Sequence, residues 1–455
     1  MRNNIVDSLP KLSWGAFFAT IVLIPFRLRL FTVSRPMPPL WEDYTDLLLY
    51  ASDVTLLVTV AAWGLQLVGP LAAQRSAQLQ DGKKLETGPK FITFPLIGFT
   101  LIGLITSFTS INPVLSFYHA VRLAILFGFY LVIINNVTSI RKLIAPLSVM
   151  LLVQSIAAII QAQTQRSVGL QLLGEYTLDP AWHGVSVVWA EGLRSLRAYG
   201  FASHPNILAG SLVFALLMIS GSQVFQEERM SFHTFALAAA GVLALFFTYS
   251  RSAWLAVFVS VMFLIYHLYV RSQKTTFWRD IGVLAVIFAI SLPFVWANKQ
   301  LVGIRLNPSV SFQEIELETG SAGGRRVLAS AANSIFEDNA ILGVGLGTAS
   351  QAMMEAFPVF PVPYAPAHNV LLNAALETGL LGALFTFILL LAPWVTLFLK
   401  RGTGLMSDLI VSSSVLLALT VVGWFDVYPL LVGTGILLQY LAWGMWARSY
   451  MDFVT

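Results

Sequence analysis

The sequence predicts an all-α polytopic membrane protein with about 12 transmembrane helices and two long outer loops. Three observations carry this reading. Of 455 residues, 57% are hydrophobic and only 11% charged, whereas soluble domains carry about 25% charged residues. The mean hydropathy is +0.75. The apolar residues also fall into runs close to the roughly 20 that cross a bilayer as a helix. Lipid is therefore the main solvent. No separate soluble stretch and no internal repeat interrupts the pattern, so residues 1–455 read as a single integral membrane domain. The net charge of +4 is too small to point to nucleic acid. With no cysteine, disulfides, thiol catalysis and cysteine metal sites are excluded.

The runs, in order, are about 12–28, 46–70, 91–109, 114–134, 141–161, 206–222, 232–249, 251–270, 281–298, 368–399, 408–425 and 429–447. Arg2 and Lys11 precede the first, and no small-residue cleavage site follows it, so it reads as a retained span. Thr248-Tyr249-Ser250-Arg251 is short enough to make its two flanking helices a hairpin. Lys and Arg favour the side that holds the N-terminus, which is therefore assigned to the cytoplasm. On the other side lie eleven basic residues, of which only Lys299 is a lysine. Arginine grips phosphate through two parallel hydrogen bonds, whereas lysine is a point charge.

The two long outer loops span 162–205 and 299–367. In the second, Gly320 to Gly324 reads as a flexible hinge. Val327, Leu328, Ala331, Ile335 and Phe336 then recur at helical spacing, which predicts a short amphipathic helix on the membrane surface or against the bundle. Gly343-Val344-Gly345-Leu346-Gly347 breaks it. No strand precedes this glycine run, so it is read as a tight turn and not as a dinucleotide loop.

The chemistry-bearing candidates stand at the outer ends of the runs. His368 opens the span at 368–399. A helix N-terminus carries about half a positive charge, which disfavours imidazolium, and a neutral imidazole is what a general base requires. Asn369 either orients it, contacts a substrate or simply caps the helix. Arg251, flanked by Ser250 and Ser252, stands at another span start, where charge near lipid is costly and is either an anchor or functional. Arg325 and Arg326 follow the glycine stretch, and Arg197 precedes Tyr199-Gly200-Phe201 and His204-Pro205-Asn206. Together these arginines suit a diphosphate. A rival acidic cluster comprises Glu42, Asp43 and Asp46, with Asp53 deeper and placed to pair with an arginine.

Four local motifs resemble the O-antigen ligase and O-antigen polymerase superfamily of bacterial membrane glycosyltransferases. They are Tyr199-Gly200-Phe201 with His204-Pro205-Asn206, then Thr248-Tyr249-Ser250-Arg251-Ser252-Ala253-Trp254-Leu255. Gly324-Arg325 with Asn339-Ala340-Ile341-Leu342-Gly343-Val344-Gly345 follows, and Ala367-His368-Asn369 with Glu377-Thr378-Gly379-Leu380-Leu381-Gly382 completes the set. Ala340 departs from the proline common in the family, which removes no chemical group. The resemblance implies a multi-pass protein of the bacterial cytoplasmic membrane whose active site faces the periplasm or cell exterior. It implies a polyprenyl-pyrophosphate-linked glycan donor, a glycan or lipid acceptor, and inverting transfer without cofactor or metal. His368 becomes the catalytic base. Arg251, Arg325, Arg197 and Arg326 become pyrophosphate-binding, and Asn369 and Asn206 substrate-orienting. Ligase and polymerase remain alternatives within the family. A transporter or flippase of lipid-linked sugar is the reading from another class, and a metal-dependent transferase using Glu42 and Asp43 is a further one.

Overall fold

A computed structural model describes residues 2–68, 85–182, 184–190, 193–225, 230–271, 274–306, 312–400, 404–431, 433 and 435–455. His183 lies outside them. Within them the chain is an all-α, multi-pass bundle, and each of the twelve apolar runs contains a helix. The first half comprises α1 (Arg2–Leu23), α2 (Ala51–Leu65), α3 (Lys90–Thr106), α4 (Pro113–Asn136) and α5 (Arg141–Thr164). The second half begins with α6 (Pro205–Phe225), α7 (Phe232–Phe247), α8 (Arg251–Arg271) and α9 (Lys274–Ala297). It continues through α10 (Lys299–Leu306), α11 (Phe312–Asp338) and α12 (Ala349–Ala356). It closes with α13 (Val370–Leu399), α14 (Ser407–Phe425), the single turn α15 (Tyr428–Leu431) and α16 (Gly435–Val454).

Seven of the described helices are long and apolar enough to cross a membrane: α4, α5, α6, α8, α13, α14 and the Phe277–Ala297 part of α9. The apolar parts of α1, α2, α3 and α7 are shorter. The bundle centre is α6, nearly all of whose side chains are buried. Its small and apolar residues admit α5, α7, α8, α14 and α16 as neighbours. Trp446 Nε1 on α16 donates to Ser413 Oγ on α14 at 3.0 Å, so the polar atoms of two buried helices satisfy one another.

Short strands lie between the first two spans and within the first long outer loop. α1 stops at Leu23, short of the expected boundary at 28, and Arg29–Val33 (β1) pairs antiparallel with Leu47–Tyr50 (β2). Pro25 disfavours helical dihedrals just before it. In the segment 162–205, Val187–Ala190 (β3) pairs with Leu193–Leu196 (β4).

The segment 299–367 is mostly helical, and the expected hinge at Gly320–Gly324 lies inside the 27-residue α11. Each interior glycine costs about 1 kcal/mol, but no proline stops the helix. Leu328, Ala332 and Ile335 bury against Tyr364, Ala367 and Leu376, which anchors its C-terminal half.

Gly379 breaks the α13 helix with φ +67° and ψ −168°. The turn after α11 fills the break. Leu380 N donates to Ala340 O at 2.8 Å, Val344 N to Leu376 O at 2.9 Å, and Gly345 N to Glu377 O at 2.9 Å. Gly347 N donates to the Glu377 carboxylate at 2.9 Å. The glycine turn and the Glu377-Thr378-Gly379 motif are thus one interlocked unit. A Cβ at Gly379 would come within 2.2 Å of Ile341 O. Gly379→Ala is therefore expected to destabilise the protein by more than about 2 kcal/mol, measured by thermal unfolding in detergent. An unchanged midpoint would contradict the interlock.

Candidate functional site

Helix starts α6, α8 and α13 and the end of α14 converge at the side to which the sequence assigns the outer loops. A cavity of about 660 Å³ opens among them. Its wall includes Arg197, Asn206, Arg251, Arg325 and His368, five of the seven residues singled out from the sequence. It also includes His204 and Arg305. The other two candidates do not line it. Arg326 is exposed to solvent. Asn369 is the N-cap of α13, its Oδ1 accepting from Leu372 N at 3.0 Å, which is the capping role asparagine suits best.

Three side chains, those of Arg197, Asn206 and Asp426, form a buried chain toward His368. Arg197 donates through Nε to Thr248 O at 2.7 Å and through Nη2 to Asn206 Oδ1 at 2.6 Å. Asn206 Nδ2 donates to Asp426 Oδ2 at 2.6 Å. Asp426 Oδ1 accepts from Val427 N at 2.8 Å and stands 3.7 Å from His368 Nδ1. Both polar atoms of the Asn206 side chain, and two guanidinium nitrogens of Arg197, are thereby engaged within the protein. Burial works to raise the Asp426 pKa, but His368, His204 and the Asn206 amide outweigh it and hold the carboxyl well below the ordinary carboxylate range. Asp426 is ionised at neutral pH.

Asp426 is the site residue that sequence reasoning missed. Its one signal was an acid at the outer end of an apolar run, the same signal that marked His368 and Arg251.

Two histidines border the cavity, and their hydrogen bonds separate them. His204 Nδ1 accepts the Asn206 backbone N–H at 3.1 Å, so the proton sits on Nε2, which lies 3.2 Å from Ser186 Oγ. Its lone pair is occupied. Burial, with Arg197 beside it, pulls the His204 pKa down to about 3. His368 differs. Its Nδ1 is buried without a hydrogen-bond partner, while its side chain keeps 30% exposure and lines the cavity.

The arginines come from separate elements. Arg251 begins α8 and Arg325 lies in α11. Arg305 in α10 bonds Tyr249 O through Nε and Nη2 at 3.1 and 3.0 Å, tying that helix to the turn before α8. Tyr249 itself has φ +47°.

The rival acidic cluster is occupied otherwise. Arg29 pairs with Glu42 at 3.0 Å and with Asp43. Asp46 Oδ1 accepts from Arg35 N at 2.9 Å and Thr45 Oγ1 at 2.9 Å. Asp53 does pair with an arginine, Arg122, at 2.8 Å.

Fold and cavity together define a multi-pass membrane protein with a histidine–carboxylate pair beside a cluster of arginines. Residues 235–387 match the family model described as O-antigen ligase, Wzy_C. The match supports the O-antigen ligase superfamily, and with it a membrane enzyme of the O-antigen ligase or polymerase type. It covers Arg251, Arg325 and His368, whereas Arg197, Asn206 and Asp426 lie outside it. No curated protein matches the chain.

The His204 shift has a sign that can be checked. Its pKa is lower in the folded state than the ordinary 6.5. As pH falls from about 6.5 toward 3 the unfolded chain takes up a proton that the folded one refuses, so stability falls across that window. His204→Gln is expected to flatten the pH dependence of thermal unfolding there. An unchanged slope would place the ring in water.

Proposed function

We propose that the protein transfers a glycan from a polyprenyl-pyrophosphate donor to an acceptor hydroxyl, on the outer face of the bacterial cytoplasmic membrane. The observation that carries this reading is the single cavity lined by Arg251, Arg325 and His368, three residues of separate elements within the matched region. Arg251 and Arg325, with Arg305 beside them, take the diphosphate. Guanidinium groups suit its oxygens in geometry and in charge.

His368 accepts the acceptor hydroxyl proton on Nε2. The acceptor oxygen forms a bond to the anomeric carbon while the bond from that carbon to the phosphate oxygen breaks. The polyprenyl diphosphate leaves with the electron pair, and the configuration at carbon inverts. Asp426 faces Nδ1, favours the tautomer with its proton there and stabilises the imidazolium that forms. The 3.7 Å gap is of the kind that tightens once substrate is bound. Arg197 and Asn206 hold Asp426 in place and are positioning residues. The arginines stabilise the charge that grows on the leaving group.

Purified enzyme in liposomes with a lipid-linked donor tests the reading. His368→Ala should lower transfer by about 100- to 10,000-fold while donor binding persists. Near-normal rates in folded protein would remove His368 from the chemistry. Arg251→Ala or Arg325→Ala should slow transfer by about 100- to 1,000-fold, and full activity would contradict the diphosphate site. Chelation should leave the rate intact, and a loss restored by a divalent cation would favour the carboxylate reading. Donor supplied alone separates the subclasses, since lengthening products mean a polymerase and an inert donor means a ligase.

A further inference from the structure

A second cavity, of about 500 Å³, lies against the first. The two share Ser186, His204, Ala365 and His368, so His368 stands at their junction. Their walls differ in charge. The first carries Arg197, Arg251, Arg305 and Arg325. Among the described residues, the second carries no lysine or arginine. Its charged side chains are Asp43 and Asp426, and much of the rest is aromatic, including Trp41, Tyr44, Tyr176 and Trp182.

We propose that this second cavity is the acceptor subsite, and that the acceptor end reaching His368 is a saccharide without phosphate or carboxylate. The inference rests on the transfer reading above.

In an inverting displacement the nucleophile approaches opposite the leaving group. A diphosphate held by the arginines therefore requires the hydroxyl to arrive from the far side of the junction. The second cavity reaches the same imidazole and is lined by none of those arginines.

An anion entering this cavity would lose water and find two carboxylates with no lining cation to repay it. Asp43 is itself paired with Arg29, so the ionised Asp426 is the charge that remains on this wall. A neutral sugar meets no such penalty.

The shape and surface of the second cavity also suit a sugar. The volume falls in the range of about 300–1,000 Å³ typical of small-molecule sites. A pyranose presents C–H groups on its faces, which pack on the negative faces of aromatic rings, and directs its hydroxyls outward to polar groups such as the Asp43 carboxylate. Trp41 and Trp182 are each 51% exposed, on different loops that meet at the cavity. Trp41 lies so close to Gly184 that a Cβ there would come within 2.9 Å of its ring. Arg27 stacks on the Tyr176 ring at 3.6 Å and holds it in place. Tryptophans outside a bilayer also serve as interface anchors, but an anchor does not line a space leading to a candidate base.

The test uses the full-length protein in liposomes, a lipid-linked donor and host membrane extract as the source of acceptor. Trp182→Ala should raise the half-saturating amount of extract roughly tenfold and leave half-saturation by donor unmoved. Trp182→Phe, which keeps a ring, should restore most of that loss, and a variant that had merely misfolded would not show this split. Chitotriose, a neutral oligosaccharide, should compete with the extract, whereas inorganic diphosphate should compete with the donor. If Trp182→Ala shifts the donor term, or if diphosphate competes with the extract, the subsite assignment is overturned while the transfer reading stands. If the wild-type protein transfers nothing from the donor, both fall together.

Discussion

The buried carboxylate of Asp426 is the constraint on which the site depends. A charge removed from water must be partnered, and leaving one unpaired in a protein interior costs about 3–5 kcal/mol. Its partners come from three places: the Asn206 amide at the start of α6, the Val427 backbone after α14, and the His368 ring before α13. Arg197 extends the chain by holding Asn206 and the turn carbonyl of Thr248. Four segments distant in sequence are thus drawn to one point. Arg251 follows that turn by a few residues, so the same network sets where its guanidinium enters the cavity.

The interlock at Gly379 does the corresponding work for the long segment after α9. Backbone groups freed by the break in α13 are taken up by residues 340–345. The turn is thereby fixed against the helix that begins beside His368. α11 leads into this turn and carries Arg325, so the arginine is placed relative to the imidazole by hydrogen bonds and not by a free loop. The two cavities flanking His368 follow from the same arrangement. One receives the arginines of α8, α10 and α11, and the other receives the aromatic residues of the earlier outer segments.

The twelve apolar runs were legible because hydrocarbon-length hydrophobic stretches are a strong signal. His368 and Arg251 were singled out because ionisable groups at span ends beside lipid are costly and seldom incidental, and Arg325 because it follows the glycine stretch in a motif that resembles the family. Asp426 had the same standing in the sequence, but nothing local distinguished it from other acids at span ends. Only the folded chain shows Asn206 and His368 beside it. Asn206 was singled out as substrate-orienting, and the fold instead engages its side chain with Arg197 and Asp426, two partners that no spacing reveals. The strand at 29–33 was hidden because a short apolar run at the edge of a span reads equally as helix, and the one at 187–190 because four residues inside a long outer loop are too few to show a clear alternation. The helix through Gly320–Gly324 was missed because glycine content argues locally, whereas the burial of Leu328 and Ile335 against Tyr364 is a tertiary effect.

The most direct measurement is a cryo-EM map of the protein in a nanodisc with a non-transferable polyprenyl-diphosphate sugar analogue. The account places the diphosphate between Arg251 and Arg325, with the first sugar's anomeric carbon turned toward His368 and the aromatic cavity left open for the attacking hydroxyl. A diphosphate bound in the aromatic cavity, or anywhere remote from His368, would contradict it.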